Sequence, residues 1–247
     1  MSGYSCFARY YDRLTENVNY RSRAEYFARL LQRYRPDPGL VLDLACGTGS
    51  LTVELAEMGY EMIGVDSSPE MLSEAMCKTG ERGLSVLYLC QDMTQLDLYG
   101  TVGATVCALD SVNHLTDPAD LKKAFERVSL FTEPGGIFLF DANTPYKHRE
   151  ILADNAYIYE FDDLYCGWQN SHDPSDGSVN IRLDFFERAK GGWRREQEEF
   201  SERAYSAQEL EDLLRETGFE LLDMYGDDTL APPGEQAQRW VCAARKR

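Results

Sequence analysis

The sequence predicts an α/β fold, a mostly parallel sheet with helices on both faces and an antiparallel β insert. Two observations carry this. Between residues 40 and 142, short apolar runs alternate with helical stretches, a period that implies right-handed crossovers and parallel strands. Between residues 155 and 205 strand-like runs follow one another with no helix between them.

Residues 5–15 and 20–34 read as helices. Tyr26, Phe27, Leu30, Leu31 and Tyr34 fall on one stripe at helical spacing. Arg35-Pro36-Asp37-Pro38-Gly39 ends that segment. Strand 40–45 leads to helix 50–58, which Gly59 closes, and strand 61–66 follows. Helix 69–78 has Ser68 as N-cap and Pro69 at its first position. Strands 84–90 and 104–109, helix 118–131 and strand 136–142 complete the alternation. Three runs, 156–168, 179–187 and 193–205, form the insert, with Lys190-Gly191-Gly192 as a hairpin signal. In it, Arg194–Glu199 reads as a solvated strand face. Helix 206–217 opens on a Ser206-x-x-Glu209 capping box, and strands 219–225 and 239–244 end the chain. The organisation is a helical segment (1–36), a core (37–150 and 206–247) and an insert (151–205).

Composition narrows the function. The 247 residues are 43% hydrophobic and carry a formal charge of −17. That charge disfavours wrapping nucleic acid or binding anionic lipid. No run approaches the roughly 20 apolar residues of a membrane span, and the first residues lack a signal peptide's apolar run. Seven scattered cysteines and three histidines offer neither a zinc pattern nor a disulfide framework, so no metal site is expected. Thiols of this kind fit a reducing, cytoplasmic setting. The chain reads as a monomer or homodimer.

The chemistry gathers at strand ends. The first strand runs into Asp43-Leu44-Ala45-Cys46-Gly47-Thr48-Gly49-Ser50. Gly47 and Gly49 permit a tight turn that brings backbone N–H groups against a ligand at a helix start. Asp66 ends the second strand and can accept hydrogen bonds from both hydroxyls of a ribose. Gln91-Asp92-Met93 ends the third, and Asp110-Ser111-Val112-Asn113-His114 the fourth. Open α/β sheets bind ligands along this rim. The dinucleotide fingerprint fails, because Thr52 holds its last position, and no Walker A loop exists.

Val41 to Gly49 instead resembles the first motif of the S-adenosylmethionine-dependent methyltransferases of Rossmann-like fold. The resemblance continues through Gly64–Leu72, Gln91-Asp92-Met93 and Pro134-Gly135-Gly136, covering about residues 38–145. It implies a seven-stranded, mostly parallel sheet whose antiparallel last strand lies between strands five and six. It implies S-adenosyl-L-methionine as cofactor. By it, Ala45, Cys46, Gly47 and Gly49 contact the methionine part and the ribose, and Asp43 orients the loop near the cofactor ammonium. Asp66 holds the ribose hydroxyls, Ser67 and Met71 flank the adenine, Asp92 accepts from the adenine amino group, and Met93 adds apolar contact. Asp110 meets either the methionine moiety or the substrate. The stretch Tyr4–Leu14 resembles the N-terminal segment that folds over the cofactor in bacterial small-molecule members, which makes Tyr11 a lid contact. Arg23 lies either on the cofactor carboxylate or on a solvated helix face.

The acceptor side is more open. Methyl transfer from a sulfonium is an in-line displacement that needs a base only where the nucleophile must lose a proton. His114 is a candidate base or a hydrogen-bonding helix-start residue, with Asn113 beside it. His148 and His172 are expected to be exposed. Asn143-Thr144-Pro145-Tyr146 superficially resembles the Asn/Asp-Pro-Pro-Tyr motif of methyltransferases acting on amino groups of bases or glutamine. It departs at its second position and follows the wrong strand, which leaves Tyr146 as a pocket-lining candidate. Trp168, Arg182 and Arg203 in the insert are candidate substrate contacts. The expected activity is methylation of a small molecule. A tRNA-modifying methyltransferase and a non-catalytic cofactor-binding protein are the alternatives.

Overall fold

A computed structural model describes residues 7–226 and 228–247. The expected helix start at residue 5 and the Tyr4-Ser5-Cys6 part of the N-terminal motif lie outside the described residues.

Seven strands form the main sheet: β1 (Leu40–Leu44), β2 (Glu61–Asp66), β3 (Leu87–Cys90), β4 (Val102–Cys107), β5 (Thr132–Asn143), β10 (Phe219–Gly226) and β11 (Arg239–Lys246). Their order is β10-β11-β5-β4-β1-β2-β3. All pairings are parallel except those of β11, which runs antiparallel to both neighbours, β5 and β10. This is the Rossmann-like arrangement with its antiparallel last strand.

Side chains alternate along the strands as the two-residue period requires. On β5, Phe138, Phe140 and Ala142 join one core, while Ile137 and Leu139 join the other. Helices α5 (Pro118–Phe131) and α6 (Ala207–Glu216) cover the first face. Helices α2 (Tyr20–Tyr34) and α3 (Ser50–Glu57) cover the second. The Ser68 cap of α4 (Pro69–Glu81) and the Ser206–Glu209 capping box of α6 form as the sequence predicts.

The insert has four strands, not three: β6 (Ala156–Glu160), β7 (Leu164–Asp173), β8 (Ser178–Ala189) and β9 (Gly192–Arg203), paired in that order as an antiparallel sheet. The expected 156–168 run breaks where the Phe161 N–H bonds the Leu164 carbonyl across Asp162-Asp163, a turn chemistry masked by the surrounding aromatics. Helix α1 (Phe7–Leu14) packs on this sheet through Ala8, Tyr10 and Leu14, with Tyr10 stacked on Phe185 at 5.0 Å.

Two strands of the main sheet are also displaced. β3 begins at Leu87 rather than at residue 84. β4 stops at Cys107 because Leu109 and Asp110 both turn into left-handed backbone (φ 59° and 55°). Neither is glycine, so no residue type announces the break. Among the described residues no helix is long and apolar enough to cross a membrane.

Candidate active site

The carboxyl ends of β1 to β4, with α1 and the antiparallel sheet, enclose a cavity of about 410 Å³, within the roughly 300–1,000 Å³ of small-molecule sites. Its floor is the glycine loop. Ala45 and Gly47 are left-handed (φ 58° and 54°), and the Cys46 N–H ties the loop to the Val65 carbonyl at 2.9 Å. The two glycines do different work. A Cβ on Gly47 would meet nothing within 4 Å, whereas one on Gly49 would strike Ala75 Cβ at 2.7 Å and the Tyr88 hydroxyl at 2.9 Å. Gly47 therefore opens onto the cavity. Gly49, a candidate cofactor contact by sequence, serves the packing of α3 on α4 and lies outside the lining.

Asp66 cross-links the rim. One carboxylate oxygen accepts the Gly47 N–H at 2.8 Å, the other the Ser68 N–H at 2.9 Å. Burial raises its carboxyl above the ordinary range, and those two N–H groups oppose the rise. A carboxylate offers about four lone-pair sites, so acceptor capacity remains toward the cavity. Ser67, Met71, Gln91, Asp92 and Met93 continue the lining. Asp92 caps its own turn, one oxygen accepting both the Thr94 N–H and the Thr94 hydroxyl at 2.7 Å, which leaves the second oxygen. Asp43 and Cys46 sit in a small annex with Tyr11, Tyr20, Ala45 and Ser111. Burial pushes the Asp43 carboxyl up to about 7, against the 2.5 Å hydrogen bond from the Thr52 hydroxyl.

A buried hub fixes the other half of the rim. Asp141, at 0% exposure, accepts the N–H groups of Leu109 (3.0 Å) and Asp110 (2.6 Å) and pairs with Arg23 and Arg239, each at 2.9 Å. Left-handed backbone costs a non-glycine residue about 1–2 kcal/mol; four bonds to one carboxylate hold two such residues in place. Arg239 also meets Asp110 at 3.0 Å. Burial pulls the Asp110 carboxyl up, but Arg239, Lys147 and His114 outweigh it and hold it well below the usual range.

Similarity to known proteins follows the same outline. A family model described as a methyltransferase domain matches residues 41–136. YqeM of Bacillus subtilis (strain 168), which carries a methyltransferase name, is 32% identical over 244 residues, covering 98% of this chain and 97% of its own. The crystal structure of a S-adenosylmethionine-dependent methyltransferase from Clostridium acetobutylicum ATCC 824 matches with a TM-score of 0.88 at 32% identity, covering 98% of each chain. This chain belongs to the S-adenosylmethionine-dependent methyltransferase family. The sugar N-methyltransferase KedS8 from Streptoalloteichus sp ATCC 53650 shares the fold at 22% identity and a TM-score of 0.77, covering 96% of this chain and 93% of its own.

The methyltransferase gathers some of the expected residues and scatters others. Tyr11, Asp110, His114 and Trp168 line the cavity. Arg23 does not; its guanidinium bridges Asp141 and Asp228 instead of awaiting a carboxylate or solvent. Asn113 is buried, and its amide bonds the backbone of Asn143 and Arg203. Arg182 stands on the outer face of β8 with Asp184, opposite the buried Ile181 and Leu183. Arg203 bonds the Thr116 carbonyl and Glu209. Tyr146 is outside the lining, which its neighbour Lys147 joins. His148, expected to be exposed, is buried 3.5 Å from Glu202. Glu198, expected on a solvated face, is buried as well. Tyr159, one of the insert aromatics that the sequence offers as a cover, lines the cavity, and so do Lys147, Phe200, Glu202 and Arg239, which no motif marks. The even spacing of Glu198, Phe200 and Glu202 on one face of β9 is the sequence signal for that strand's contribution.

Proposed function

We propose that this methyltransferase methylates a small molecule held between the strand-four end and the antiparallel sheet. One observation carries the reading: a single cavity runs from Asp66 and Asp92 to His114, Trp168 and Glu202. The residues fit the cofactor. The open space above Gly47 accepts the methionine and ribose part, Asp66 takes the ribose hydroxyls, and Asp92 with Met71 and Met93 receives the adenine. Asp43 in the annex faces the ammonium. S-adenosylmethionine supplies an activated methyl group and a neutral leaving group. The chain's own part is to align the acceptor and keep water out, and Tyr11 on α1 with Tyr159 and Trp168 on the sheet supply that cover. The charge of −17 supports a small acceptor over tRNA, and the six free thiols among the described residues support a cytosolic setting.

Titration calorimetry with S-adenosylhomocysteine tests the cofactor site. Asp66→Ala is expected to weaken binding by about 1–3 kcal/mol, the worth of hydrogen bonds to a charged group. Gly47→Val is expected to abolish it, since the side chain enters the open space that the cofactor would fill, and circular dichroism checks that the variant folds despite the left-handed backbone (φ 54°) at that position. Unchanged affinity in both variants overturns the placement.

A further inference from the structure

The cavity wall formed by the strand-four end and the antiparallel sheet carries two carboxylates that the cofactor assignment does not use, Asp110, which is paired with Arg239, and Glu202. Glu202 lies on the inner face of β9, buried to 6% side-chain exposure, and lines the cavity with Tyr159, Trp168 and Phe200. One of its oxygens is fixed, accepting from Asn143 Nδ2 at 3.1 Å and lying 3.5 Å from His148 Nε2. His148 is itself 1% exposed, and its Nε2 makes no hydrogen bond among the described residues. The second oxygen of Glu202 meets His114 Nε2 at 3.9 Å, too far for a hydrogen bond. The cations on the same wall are engaged within the chain: Lys147 Nζ on Asn143 Oδ1 at 2.7 Å, Arg239 on Asp110 and Asp141. An anionic group arriving here would meet the Glu202 carboxylate, and the cations beside it already have partners among the described residues.

We propose that Glu202 selects the methyl acceptor, and that the acceptor presents a primary or secondary amine. This rests on the cavity being the methyl-transfer site. A carboxylate only accepts hydrogen bonds, and aromatic faces attract cations, so the pair recognises an ammonium better than a hydroxyl of the same size. The bound ammonium gives one proton to His114, from which it passes to solvent. The freed nitrogen lone pair then forms the bond to the methyl carbon as the carbon–sulfur bond breaks, its electron pair staying on sulfur. The positive charge moves from sulfonium to the methylated ammonium, so charge and atoms balance.

The test is calorimetry on the full chain saturated with S-adenosylhomocysteine, titrated with benzylamine and with benzyl alcohol at pH 7.5. Benzylamine is expected to bind about tenfold or more tightly than the alcohol, the value of one charged hydrogen bond. Glu202→Gln is expected to erase that preference and Glu202→Asp to keep part of it, while both bind S-adenosylhomocysteine as the wild type does, which also shows that they fold. Equal affinity for the two probes, binding of neither, or a preference that survives in Glu202→Gln overturns the proposal. Failure of S-adenosylhomocysteine itself to bind overturns the cofactor site, and the proposal with it.

Discussion

Asp43 is a titratable group whose ionisation the cofactor would change. The buried carboxyl, pushed up to about 7, is held partly protonated at neutral pH. A group raised in the folded state stabilises the fold fully below its ordinary value near 4, and that contribution is lost as pH rises through about 7. A cationic ammonium in the annex favours the carboxylate and expels the proton. Affinity for S-adenosylmethionine should therefore climb between pH 5 and 7, by at most about tenfold per unit for one proton, and level off above. Asp66, also raised by burial, acts in the same direction. Asp43→Asn should flatten most of the climb in calorimetry from pH 5 to 8; a wild type with pH-independent affinity would remove Asp43 from the ammonium. At this scale the sequence distinguishes residue types better than residue duties. Gly47 and Gly49 read alike, yet one faces open space and the other a packed methyl. Arg23 and Asp141 stand 118 positions apart, and no local pattern links them.

Among the elements, α1 shows how a marginal piece is made firm. Eight residues are too few to form a helix alone in water. Asp12 accepts the Thr48 hydroxyl at 2.7 Å and pairs with Lys78 at 2.5 Å, which pins α1 to the glycine loop and to α4. Arg13 reaches the other way, to Asp163 at 2.6 Å and over the Phe161 ring at 4.5 Å. Tyr11 is thus held over the cavity from both sides. Asp12→Ala should weaken S-adenosylhomocysteine binding by about 1 kcal/mol, a charged hydrogen bond discounted for its partial exposure. It should also speed amide exchange in residues 7–14 while β1 and β4 stay protected. Unaltered exchange in α1 would mean that its apolar face alone holds it. The elements were legible where period and caps agreed, as in β1 to α4 and in α6. They were misread where tertiary contacts override propensity: β4 ends on two left-handed non-glycine residues because Asp141 holds them, and the insert splits at a turn hidden among aromatics.

The whole molecule turns on a shared wall. Helix α1 with the loop that follows it, the seven-stranded core and the antiparallel sheet each supply part of one cavity, and none of the three encloses it alone. A ligand there should stabilise them as a unit. At a hundredfold excess over its dissociation constant it adds about 2.7 kcal/mol. In a chain of this length each kcal/mol is worth roughly 2–4 °C, so S-adenosylhomocysteine should raise the melting temperature by about 5–10 °C. The form of the transition is the stricter criterion. Calorimetric scanning should give one unfolding peak with and without ligand, moving as a whole, because α1 and the antiparallel sheet share an apolar cluster that also takes in Met71 of α4. Two peaks, of which the ligand moves only one, would mean that the antiparallel sheet unfolds independently of the cofactor site, and the acceptor wall built from Trp168, Phe200 and Glu202 would then have no energetic tie to the glycine loop.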